Sequence, residues 1–115
     1  MSACSLLIDG ESRSHVEVAM TRLERRRGLL GRKDLDGALL LAPCRSVHTI
    51  SMRFDLNVAY LRRTDVPKVY EVIRVGRMRR NRIGLPVLRA HAVLEASAGS
   101  FARWKLDRFS LVEIR

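Results

Sequence analysis

The sequence predicts a mainly β domain: a small jelly-roll-like β-sandwich or partly closed barrel carrying one or two short helices. Three observations lead there. Apolar and polar residues alternate with a period of two over 56–61 and again over 69–75, the spacing of half-buried strands. Turn-forming residues, among them Asp9-Gly10, Asp36-Gly37 and Pro67, punctuate the chain at short intervals. Six or more strand-sized segments then stand against only two helix-sized ones, the balance of an all-β domain.

Taken in order, residues 5–8 and 15–20 read as two strands around the Asp9-Gly10 turn. Val16 and Val18 alternate there with His15, Glu17 and Ala19. Thr21 to Glu24 (TRLE) fits a capping box, in which a Thr hydroxyl and a Glu carboxylate each satisfy one orphan amide of a helix start. Arg25, Arg26 and Arg27 fall late in that helix, where cations suit its dipole. Gly31 is a natural residue to end it, and Met20, Leu23 and Leu30 are its expected apolar face. The run 38–42 is apolar throughout but too short for most helices, so it reads as a buried strand stopped by Pro43. Segments 56–61 and 69–75 are expected to form a hairpin, and 76–89, with Gly76, Gly84 and Pro86 among many arginines, to form a loop. Residues 90–95 read as a strand, Ser97 or Ser100 as the cap of a short helix carrying Phe101 and Trp104, and Leu111, Val112 and Ile114 as a final strand.

The 115 residues suit a single domain, 1–115. Hydrophobic residues at 47% and charged residues at 30% support a folded core, and 5% aromatics mean that core is mostly Leu, Val, Ile and Ala. No apolar run approaches the roughly 18 residues of a membrane span. The start of the chain lacks a basic segment, and Leu6, Leu7 and Ile8 are too few for a signal peptide. A cytoplasmic protein is expected. Twenty-two Lys and Arg against 12 Asp and Glu give a net charge of +10. Such a surface attracts nucleic acid or other acidic partners, although a general bias toward Arg would raise the charge without any ligand. Cys4 and Cys44 lie far apart, and His15, His48 and His91 are scattered, so no metal and no cofactor is expected.

Three constellations are candidates for function. His48, Thr49 and Arg53, with Asn57 close behind, could hold an anionic or carboxylate ligand, Arg by bidentate contacts; the alternative is that His48 bonds a backbone group between strands. Glu95 ends an apolar strand and is expected to pair with Arg27 or Arg32, tying helix to sheet, rather than to act as a general base. Arg74, Arg77, Arg79, Arg80 and Arg82 could follow a phosphate backbone, but no aromatic lies among them for base stacking, and a solvated loop is the plain alternative. No GxSxG, HExxH, phosphate-loop or Cys/His signature is present, so no catalytic residue is assigned.

Three blocks, TRLERRRGLLGR (21–32), HTISMRFDLNVAYL (48–61) and VLEASAG (93–99), resemble in order and spacing a family of small bacterial and archaeal proteins called domain of unknown function 192. The resemblance spans about 16–114 and implies a jelly-roll-like β-sandwich without supplying an activity. Two positions depart from the family's pattern. Asn57 stands where the Asp of Leu-Asp-Val is usual, and Phe109-Ser110 stands where Gly-Asp is usual; any acid-dependent reaction there would have lost its carboxylate. The combined expectation is a small non-enzymatic binding or accessory module. The alternatives are polyanion or nucleic-acid binding through 74–82, a protein partner, and an enzyme at His48 and Arg53.

Overall fold

Asp9 and Gly10 both take positive φ, 50° and 85°, the two-residue hairpin turn that Asp-Gly favours. They join β1 (Ser2–Ile8) to β2 (Glu11–Ala19). The computed structural model describes residues 2–29, 34–49 and 52–115, the side chains of 2, 3 and 27 excepted. After β2 come α1 (Arg22–Arg27), β3 (Ala38–Leu41), β4 (Leu56–Arg63), β5 (Val69–Met78), β6 (Ala92–Ser97), α2 (Ser100–Trp104) and β7 (Leu111–Ile114). The chain is mainly β with two short helices, and the barrel is the arrangement it takes. Its strands close in the order β1-β2-β3-β6-β4-β5-β7, with β7 pairing back onto β1 through Leu6 and Ile114. Among the described residues only β2 and β3 pair in parallel, Val16 to Ala38 through Ala19 to Leu41, which requires a crossover; α1 lies on it. No helix among the described residues is long and apolar enough to cross a membrane.

The core has two layers, separated by strand alternation. Leu6, Val16, Leu40, Leu61, Val72, Leu94 and Val112 fill the barrel, and Phe101 and Trp104 of α2 pack into the same cluster. Leu39, Leu41, Val58, Tyr60 and Val93 point the other way, against Leu29, Leu35, Val47, Met52 and Ala90. Strands β3, β6 and β4 are therefore covered on both faces. That explains why 38–42 reads as an unbroken apolar run rather than an alternating one, and why 92–96 is apolar at every position but Glu95.

Several local expectations meet the structure differently. The capping box is present: Thr21 Oγ1 accepts from Glu24 N at 3.1 Å and Glu24 Oε1 accepts from Thr21 N at 3.1 Å. The helix has only six residues, however, and ends at Gly28 with φ 46°; Leu30 and Gly31 lie outside the described residues. So short a helix turns little surface inward, and Met20 and Leu23 are 63% and 73% exposed while Leu29, just past its end, is buried. Strand β5 runs on to Met78, paired with Leu56. Arg74 and Arg77 therefore stand on a strand and not in a loop, because ladder hydrogen bonds do not need a side chain at Gly76 to continue. Helix α2 begins at Gly99 without a cap from Ser97 or Ser100. Asn57 does that work from β4, its Oδ1 accepting from Gly99 N at 3.0 Å and Phe101 N at 3.1 Å.

Both departures from the family pattern have a structural reading. The task at 57 is to accept two N–H groups, which an Asp carboxylate performs equally well. Phe109 has φ 75°, a conformation natural to Gly, and Ser110 Oγ accepts from Asp107 N at 3.1 Å, as an Asp would. Accordingly, Asn57→Ala should lower unfolding free energy by about 1–2 kcal/mol, since it removes the acceptor of two N–H groups, one of them on buried Phe101 and the other on exposed Gly99. Asn57→Asp should stay within about 0.5 kcal/mol of the native chain. Urea unfolding of the two variants checks this; equal losses would show that the acceptor is not what matters.

Candidate functional site

Strand alternation places Glu95 on the outer face of β6, between Leu39 of β3 and Val58 of β4 in the register. It is 3% exposed. A small cavity of ≈ 80 Å³ opens beside it, walled by Leu29, Leu41, Val47 and Met52 and bordered by Cys44, Arg25, Arg26 and His48. At about 30 Å³ of liquid volume per water, this space admits a group the size of a carboxylate. Among the described residues nothing hydrogen-bonds or ion-pairs with the Glu95 carboxyl; Arg32 and the side chain of Arg27, its expected partners, lie outside them. Burial alone pushes Glu95 from 4.5 up to about 8, because a charged carboxylate loses its hydration among apolar neighbours. At neutral pH the group is a protonated acid and a hydrogen-bond donor.

The neighbouring thiol is neutral as well. Burial pushes Cys44 upward, the largest of its influences, and its Sγ donates to Ser46 O at 3.1 Å. Cys4 and Cys44 are both free. Among the described residues, no group of three His, Cys, Asp or Glu could hold a metal ion.

The four residues of the His48 block do not converge. His48 is exposed, borders the cavity and bridges to Ile83. Arg53 is exposed, and Asn57 is engaged at α2. Thr49 is fully buried and holds the 79–82 turn: its Oγ1 donates to Arg79 O at 2.5 Å and accepts from Arg82 N at 2.9 Å. Its own N donates to Arg82 O at 2.7 Å, and Gly84 N donates to Val47 O at 2.8 Å. A Cβ at Gly84 would lie 2.8 Å from that carbonyl, so the close approach needs glycine. This stitching keeps Val47 and His48 in place along the cavity.

The arginine run is spent largely on the fold. Asp55 accepts from Arg77 Nη2 at 3.1 Å and Arg80 N at 3.0 Å. Arg80's amide first, then Arg77, holds its carboxyl below the usual range. Arg82 Nη1 donates to the carbonyls of Arg80 and Asn81. Sequence reasoning passed over Arg25, Arg26 and Cys44 as cavity residues. The signal was the alternation itself, which sets Glu95 in phase with Val93 and opposite Leu39, on a face that later proves covered.

Linkage sets the sign of a stability test. The folded state keeps the Glu95 proton up to about pH 8, whereas the unfolded chain releases it near 4.5. Between those values the native state binds more protons, so stability falls as pH rises. The contribution amounts to about 3 kcal/mol by pH 7 at 1.36 kcal/mol per unit. Denaturant unfolding from pH 5 to 8 should therefore show a decline in the native chain that Glu95→Gln largely removes. Parallel pH profiles for the two would contradict a buried Glu95 that keeps its proton in the folded state.

No curated protein matches the sequence. Two solved structures share the fold. One is a protein of unknown function from Novosphingobium aromaticivorans DSM 12444, 20% identical, TM-score 0.75, over 95% of this chain and 83% of the other. The second comes from Sinorhizobium meliloti 1021 and is described as a "putative transcription regulator"; it is 14% identical, TM-score 0.79, over 98% and 94% of the two chains. The family DUF192, described as "Uncharacterized ACR, COG1430", matches residues 5–114, so the three blocks of the sequence, and with them Glu95, sit within the matched region. The chain belongs to the DUF192 family.

Proposed function

We propose that the protein is a small non-enzymatic binding module that takes the carboxylate head of a small organic acid into the cavity over Glu95. The observation that carries this reading is the buried carboxyl with no partner among the described residues, aimed into a space bordered by two arginines. A carboxylic acid kept neutral at pH 7 by an apolar site can donate a strong hydrogen bond to an anion. Arg25 and Arg26 at the border add favourable charge. A cationic ligand would need Glu95 ionised and would meet those same arginines, so an anion fits better.

Binding is favoured over catalysis by the chemistry of the lining. Among the described residues neither Cys44 nor Glu95 hydrogen-bonds to His48, and the Cys44 thiol is held protonated. A nucleophile, a base and an orienting group in contact are what covalent catalysis requires. Two free thiols suit a reducing cytoplasm.

Acetate is a probe small enough for the cavity. Heteronuclear NMR titration of the native chain with acetate should shift the Met52 methyl at pH 6.5. Affinity should fall at least about tenfold by pH 9, once Glu95 ionises through about 8 and repels the ligand. Glu95→Gln keeps a neutral donor and should bind acetate without that fall. Acetate binding that is flat with pH in the native chain, or methylammonium binding in its place, would overturn the proposal.

A further inference from the structure

A second and larger concavity, ≈ 600 Å³, lies beyond Cys44 and is bordered by Arg45, Arg62, Arg63, Arg89 and His91. No Asp or Glu is among the residues that line it. Arg62 is the least available of the four, since its Nε bonds Glu71 Oε1 at 2.6 Å. The other three leave guanidinium N–H groups for a ligand. Arg45 uses only Nε, toward Ala90 O at 3.3 Å. Arg63 uses Nη2, 3.0 Å from His91 Nδ1, and Arg89 has no partner among the described residues.

The groove is also stiff. Cys44 N donates to His91 O, Val87 N to Arg45 O and His91 N to Leu61 O, each at 2.8 Å, so both loops that carry arginines are pinned to each other and to β4. The His91 ring stacks on Tyr70 at 6.3 Å with 9° between planes. Arginines carried on a backbone held in advance give up less freedom on binding than ones on a loose loop, and their forked donors match phosphate oxygens.

We propose that this groove, and not the arginine run 74–82, binds a chain of linked phosphates. Several guanidinium groups spread along an open groove fit successive phosphates better than one isolated anion. Among the described residues, Arg45, Arg63 and Arg89 have no carboxylate like the one Asp55 supplies to Arg77 and Arg80. Two sources offer that chemistry, a nucleic-acid backbone and a free polyphosphate, and the site is independent of the Glu95 cavity.

The test uses fluorescence anisotropy of the full chain with a short labelled oligoribonucleotide of mixed sequence, competed by inorganic tripolyphosphate. Three contacts at roughly −0.7 each allow a log–log salt slope near −2. Arg45→Ala/Arg63→Ala/Arg89→Ala should weaken binding at least about tenfold and bring the slope close to zero. The charge-matched Arg74→Ala/Arg77→Ala/Arg79→Ala should lose less than about threefold. Arg89→Ala alone breaks no side-chain bond among the described residues and should still weaken binding about threefold, which guards against a triple variant that fails to fold. Competition by tripolyphosphate supports the linked-phosphate chemistry; tighter binding of the oligoribonucleotide then marks nucleic acid as the source, and tighter binding of tripolyphosphate marks a free polyphosphate. Equal losses in the two triple variants, an unaffected Arg89→Ala, or no competition by tripolyphosphate would overturn the proposal.

Discussion

The constraint on which the rest depends is that β6 is buried on both faces. Its even-numbered residues, Ala92, Leu94 and Ala96, fill the barrel, while Val93 and Glu95 lie beneath an outer layer of loops. Glu95, in the second set, is only 3% exposed and loses most of its hydration. It must be paired or remain neutral, because an unpaired charge in such surroundings costs far more than a shifted proton equilibrium. The barrel sets the position of Glu95, and the position sets its chemistry.

The outer layer exists because a few polar side chains close it. Thr49 spends its hydroxyl and amide on the 79–82 turn, and Gly84 allows that turn to approach Val47. Asp55 fixes Arg77 and Arg80. Part of a net charge of +10 thus goes to holding loops over a sheet, and part faces open solvent between Arg45 and Arg89. The two uses differ in whether a carboxylate is close at hand, which is a more informative criterion than the density of arginine along the chain.

Much of the fold was legible in the sequence. Period-two alternation marked the β4–β5 hairpin, Asp9-Gly10 marked the first turn, TRLE marked the start of α1, and the unbroken run at 38–42 marked a strand covered on both sides. These are local signals with local causes. Closure of the barrel and the parallel pairing of β2 with β3 depend on contacts between distant segments and have no local signature. The same limit hid Asn57 as the anchor of α2, which lies more than forty residues further along the chain. Glu95 was visible as a carboxyl in an apolar strand. Its lack of a partner among the described residues was not, since the sequence supplies many arginines and pairing with one of them is the simpler expectation. The sequence around Arg25, Arg26 and Cys44 carries signals of helix polarity and of metal spacing alone, and their place beside the cavity follows only from how the crossover packs on the sheet.

The central claim is that Glu95 is an uncharged acid at neutral pH, held so by burial. The most direct measurement is the pH titration of its side-chain carboxyl carbon by NMR in the native protein, assigned by comparison with Glu95→Gln. A midpoint near 8 is what the structure predicts. A midpoint at or below the ordinary 4.5 would mean that a cation pairs with the carboxylate, and the cavity would then be the seat of a structural ion pair instead of a binding site.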